Sequence, residues 1–184
     1  VAKAYDAQLA SSKVADIQAV AQAVRAQPGL ITPMTLMVLA IRHYDVGLRD
    51  ESVFWFYAAK DRYLTLREVA DLNHPGLSQV RQATTDFANL AGLTINGHAF
   101  CNLARQQAAR QRALAWVEAN PYDALFLPQI PARPGDRREN LALAIKKLKD
   151  DAAKESESLA HPAMQAQMRA SRLANQADLK YCWP

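Results

Sequence analysis

The stretch TPMTLMVLAIRHYDVGLRDESVFWFYAAKDRYLTLR, residues 32–67, limits the fold more than any other part of the chain. It is the most apolar and aromatic segment, and its spacing predicts two helices hinged at Gly47. Thr32-Pro33 is a start signal, because Thr caps and Pro fits the first helical position, where its missing N–H is not needed. Met34, Met37, Val38, Ile41 and Tyr44 share a face that Leu36 and Leu39 broaden. A helix apolar nearly all round is buried on several sides. Beyond Gly47, Asp50 is the expected cap of a second helix carrying Val53, Phe54, Phe56, Tyr57 and Ala58 and running to about Leu72. So short a link makes the two pack antiparallel, and Ala58 and Ala59 let their backbones approach. Trp55 is left unassigned, since neighbouring aromatics on one helix cannot all point the same way.

The other segments read as helices laid around this hairpin of residues 32–72. One covers 4–27 and stops at Pro28-Gly29; a weaker one covers 77–91 after Asn73-His74-Pro75-Gly76 and ends at Ala91-Gly92-Leu93. Asn96-Gly97 opens a long helix that ends before Asn120-Pro121. Residues 120–135, NPYDALFLPQIPARPG, form a Pro-rich loop whose Phe126, Leu127 and Ile130 either tuck into the core or are presented to a partner. Asp136, with Glu139 three residues on, caps a helix to about Leu159, and a last helix covers 163–178 after His161-Pro162. Only FLPQIP is ambiguous for strand. The expected fold is therefore all-α: one domain, 1–184, a bundle of about six to seven helices around the central antiparallel hairpin. Only 6 glycines in 184 residues agree with that, as Gly is the residue a helix interior tolerates worst after Pro.

Charge and motifs narrow the function. The net charge of +4 is scattered among Asp and Glu, unlike the concentrated basic face of a nucleic-acid binder. No apolar run reaches the ~20 residues of a membrane helix, so no membrane insertion is expected. The start at Val1 rather than Met points to removal of a signal peptide, to a tag or to a truncation, and the opening VAKAYDAQLASSK suits the mature end of an exported protein. Cys101 and Cys182 permit one disulfide tying the aromatic tail to an internal helix; the alternative is two unpaired thiols. His98 and Cys101 lie one helical turn apart, yet His43, His74 and His161 are isolated and no zinc set is completed. No nucleophile elbow, cysteine-protease signature, phosphate loop or GxGxxG is present. Asp16, Asp45, Asp61 and Glu68 read as solvated helix faces. No catalytic residue, metal or cofactor is expected.

Leu39, Ala40, Gly47, Phe56 and Ala59 fall near the small and large positions of a tetratricopeptide unit, but no copy follows at the roughly 34-residue period of such repeats. Three stretches, PMTLMVLAIRHYDVGLRDESVFWFYAAKDRYL, TINGHAFCNL and RALAWVEANP, resemble a family of exported bacterial helical proteins. Some of its members are associated with type VI secretion loci and resemble periplasmic immunity proteins. The resemblance spans Ile31 to Pro121, and its Trp55, Phe56, Asn96, Phe100 and Trp116 speak of fold rather than of a site. It implies a periplasmic protein that binds a cognate secreted effector, such as a hydrolase acting in the periplasm, and occludes it. In the Pro-rich loop, Tyr122, Phe126 and Arg133 are the candidate anchors, because proline pre-organises an extended segment and aromatics and Arg dominate interface energetics. Two alternatives stand beside it: a helical adaptor that assembles a complex without a toxin, and an enzyme with an unrecognised site around His98 and Cys101.

Overall fold

The computed structural model describes residues 2–182. Among them are nine α-helices: α1 (Asp6–Ala10), α2 (Val14–Ala26), α3 (Pro33–Asp45), α4 (Arg49–Val69), α5 (Ser78–Ala99), α6 (Leu103–Ala119), α7 (Arg137–Ala160), α8 (Pro162–Ala174) and α9 (Ala177–Tyr181). The described residues hold no strand, only one isolated antiparallel bridge between Ala70 and Ala132. The fold is all-α.

The hairpin forms where its start and stop signals stand. Thr32 Oγ1 accepts a hydrogen bond from the Thr35 N–H at 3.0 Å, and Pro33 occupies the first turn of α3. Gly47 turns the chain at φ +84°, a conformation that residues with a Cβ rarely adopt. Asp50 does not cap α4; the helix starts at Arg49, and Asp50 and Glu51 lie in its first turn, where they complement the helix dipole. Helix α4 packs against α3, α5, α6 and α7. Side chains pointing in different directions therefore all meet protein, and Phe54, Trp55, Phe56 and Tyr57 are each at most 3% exposed. Trp55 stands edge-on to Trp116 with ring centroids 5.5 Å apart. Full burial of one such side chain contributes roughly 1.5–3 kcal/mol.

Four boundaries differ from expectation. The first predicted helix splits at Ser11–Lys13, where Ser11 Oγ donates to Asp16 Oδ2 at 2.5 Å and accepts from the Lys13 N–H; serine here competes with helical bonding. Helix α5 continues through Gly92 and breaks at Phe100–Asn102 instead, because Asn102 Oδ1 caps α6 by accepting from the Arg105 N–H at 3.0 Å. The central hairpin ends at Val69 rather than Leu72. The last predicted helix becomes α8 and α9, parted by Gln176 at φ +52°. These splits raise the helix number above the six to seven expected.

Two arginines hold the loops. Arg62, fully buried on α4, donates from Nη1 to the Pro28 and Ile31 carbonyls, both at 2.8 Å, and from Nη2 to Asn120 O at 2.6 Å. Its guanidinium stacks on Trp116, 4.7 Å from the ring centroid. Burial pushes its pKa down to about 10, against smaller opposing effects of Tyr122 and Asp123. On α7, Arg137 donates to the Leu125, Leu127 and Ile130 carbonyls at 2.5, 2.9 and 2.7 Å. Irregular backbone that leaves water must find donors, and these guanidinium forks supply them.

Candidate functional site

The Pro-rich loop is an ordered platform. A 3-10 turn over Asp123–Phe126 buries Ala124 and Leu125. Leu125 joins Leu66, Val69, Ala70 and Leu72 in a second apolar cluster, with Tyr122, Phe126 and Ile130 packed against it. Pro131 O accepts from the Asp71 N–H at 2.9 Å, and the Arg133 N–H donates to Val69 O at 2.9 Å. The loop thus runs alongside the end of α4 and is tied there by backbone as well as by Arg137.

The three candidate anchors fare differently. Tyr122 is half-buried, and burial raises the pKa of its phenol against the nearby Arg62 charge. Phe126 is half-buried under the Arg138 guanidinium, 4.9 Å from the ring centroid. Of the two fates open to Phe126, Leu127 and Ile130, the structure tucks in Phe126 and Ile130 and leaves Leu127 exposed. Arg133 faces solvent with a side chain 49% exposed, yet it is held in place: Nη1 lies 3.0 Å from Glu68 Oε2 and 3.4 Å from Arg67 O. Glu68 also pairs with Arg67 at 3.1 Å.

Beside Arg133 runs an open groove of about 370 Å³ lined by Glu68, Pro134, Asn140, Leu143, Ala144 and Lys147. Leu143 is 65% exposed there. The groove thus carries the Arg133–Glu68 ion pair, a further cation at Lys147 and an exposed leucine.

His98 and Cys101, whose one-turn spacing completes no metal site in the sequence, both hold the C-terminal segment. Cys101 is disulfide-bonded to Cys182, with Cα atoms 5.6 Å apart, and His98 Nδ1 lies 3.0 Å from Tyr181 O. Both side chains pin the C-terminal segment onto the end of α5. The open choice between a disulfide and two free thiols is settled in favour of the bond.

Asp61 is not a solvated carboxylate, and that expectation is corrected: it is 1% exposed and ion-paired to Arg110, which also approaches Glu155 Oε2 at 3.7 Å. Tyr57 extends the network, donating to Asn96 Oδ1 at 2.9 Å and accepting from Gln106 Nε2 at 3.0 Å. Burial pushes the Asp61 carboxyl up to about 6, with Arg110 holding back part of the rise. A sequence signal for this existed. Asp61 lies four residues after Tyr57 and Arg62 four after Ala58, so each shares a face with a residue that the hairpin buries. Arg110, Gln106 and Arg137 carry no such mark, because their roles depend on which helix lies opposite.

The sequence is similar to that of a Haemophilus influenzae protein described as an uncharacterized protein, 34% identical over 183 residues, which is 100% of this chain and 71% of the relative. No protein-family model and no solved structure matches the chain.

Proposed function

The chain belongs to the same family as the uncharacterized Haemophilus influenzae protein, and we propose that it acts as a periplasmic immunity protein that binds and neutralises a type VI secretion effector. The observation that carries this reading is the Pro-rich loop. It is held by Arg137 and by the end of α4, and it presents Arg133 beside the groove that Leu143 and Lys147 line. An inhibitor needs a stable surface that covers its target, and a segment already ordered in the free protein loses little entropy on binding. The Cys101–Cys182 bond suits an oxidising compartment such as the periplasm. The resemblance of the α3–α6 region to exported helical proteins of type VI loci points the same way.

The test is complex formation between the purified protein and a toxic secreted effector, sought first among the products of neighbouring genes; if no such effector binds, the immunity reading fails. Arg133→Ala and Lys147→Ala, both exposed positions away from the core, are expected to weaken the complex about tenfold each, chiefly through faster dissociation. Undiminished affinity in the double variant overturns the assignment of the groove. A complex that forms without relieving toxicity favours the adaptor role.

A further inference from the structure

The C-terminal segment is strapped to α5 by an unusual set of contacts around the disulfide. The Arg172 side chain, on α8, is half-buried, and its guanidinium reaches both sulfurs: Nη2 lies 2.9 Å from Cys182 Sγ and 3.4 Å from Cys101 Sγ. Nη1 donates to Gly97 O at 3.3 Å, one of the last carbonyls of α5, and Nε donates to Asp178 Oδ1 at 2.8 Å. The two sulfurs are not equivalent. Cys101 is exposed and lines a cleft of about 190 Å³ with His98, Asn102 and Arg105, whereas Cys182 is half-buried against the guanidinium.

We infer that Cys101–Cys182 is a thiol-exchange site, at which a dithiol reductant attacks Cys101 and Cys182 departs as a thiolate held by Arg172. A disulfide sulfur accepts hydrogen bonds weakly, whereas a thiolate beside a guanidinium gains a charge-assisted bond. The cation therefore stabilises the reduced side of the equilibrium more than the oxidised side, and it improves the leaving group. In the first step a reductant thiolate forms a bond to Cys101 Sγ, the Cys101–Cys182 bond breaks, and its electron pair leaves on Cys182 Sγ. In the second step the reductant's other thiolate attacks its own bound sulfur and releases Cys101 as a thiolate. The reductant ends as a disulfide, both cysteines end reduced, and the protons lost by the dithiol are taken up by the two cysteine sulfurs or by solvent.

The polar groups that face the site act in both senses. Asp178 Oδ1, 3.5 Å from Cys182 Sγ, opposes the thiolate, but it is exposed and already accepts from Arg172. His98, on α5, is engaged with Tyr181 O, and Lys180 donates to Asn175 O at 2.8 Å. Arg172 is thus the cation in direct contact with the sulfurs. Once the bond opens, α9 is held at α5 by the His98 contact and by the Tyr181 ring lying over Gly97, so exchange loosens the strap beside the cleft.

The experiment equilibrates the intact protein with glutathione and glutathione disulfide, quenches with an alkylating reagent and reads the reduced fraction by mass. Arg172→Gln is expected to lower the equilibrium constant for reduction about tenfold, a fall of about 30 mV, while Arg172→Lys keeps part of the effect. Asp178→Asn is expected to shift the constant the other way, which keeps the inference testable if Arg172→Gln folds poorly. The transient glutathione adduct maps to Cys101. Values for Arg172→Gln and Asp178→Asn within twofold of the parent, or an adduct on Cys182, overturn it.

Discussion

Replacing Asp61 by Asn should change how stability depends on pH, in a direction opposite to that of an ordinary surface carboxylate. Asp61 lies under α6 and α7, and burial pushes its pKa up to about 6 from 3.8 in spite of Arg110. The folded state therefore holds this proton more tightly than the unfolded chain does. The contribution of Asp61 is most favourable below the unfolded value, and it is lost as pH rises through the folded value. A rise of about two units corresponds to roughly 3 kcal/mol, most of it lost between about pH 4 and pH 6. Glu51 works in the other sense, since Arg25 and Arg112 overcome its burial and hold it below its ordinary value. The informative quantity is thus the difference between parent and variant. Urea unfolding of both at half-unit steps from pH 3.5 to 7.5 measures it. The parent should lose about 3 kcal/mol relative to Asp61→Asn as pH rises. A parallel pair of curves, or a parent that gains on the variant with rising pH, refutes the reasoning.

Arg62→Met leaves the Ile31 and Asn120 carbonyls without a donor at roughly 1–3 kcal/mol each, while Pro28 O keeps the Ile31 N–H; about 3 kcal/mol of relief from burying a cation offsets much of this. A net loss of about 1 kcal/mol is expected by urea unfolding, and an unchanged or raised stability contradicts the stapling role. Replacing Cys101 and Cys182 together by Ser opens a loop of 81 residues and should lower stability by about 2–4 kcal/mol, read by calorimetry with and without reductant. In Gly97→Ala the new Cβ would stand 2.8 Å from the Tyr181 ring. That substitution should displace α9 and lower stability by about 1–2 kcal/mol, with faster proteolysis of the tail as the check.

Much of the architecture was legible because it is written in local chemistry. Thr32-Pro33, Gly47 and Asp136 act where they stand: the Asp136 side chain accepts from the Arg138 and Glu139 N–H groups at 2.8 and 3.0 Å. That Trp55 is buried along with Phe54, Phe56 and Tyr57 was not legible, since periodicity assumes a helix with one inner face and α4 has neighbours on several sides. The Gly92 break failed for a related reason. A glycine lowers helix propensity by about 1 kcal/mol, which tertiary packing outweighs, whereas the Asn102 cap supplies a definite start for α6. At the candidate site, the loop and its proline content were visible in sequence. Its ordering by Arg137, and the groove that Arg133 shares with Leu143 and Lys147, arise from the approach of α7 to the end of α4, a long-range fact that no residue spacing records.

Survival of cells is the most direct measure of the proposed immunity role. Bacteria that direct a toxic effector found among the products of neighbouring genes to their own periplasm are counted with and without this protein co-exported, and with its Arg133→Ala, Lys147→Ala form. Full protection by the parent and a marked loss of protection by the double variant are expected at equal protein level. Equal killing with and without the parent protein contradicts that role.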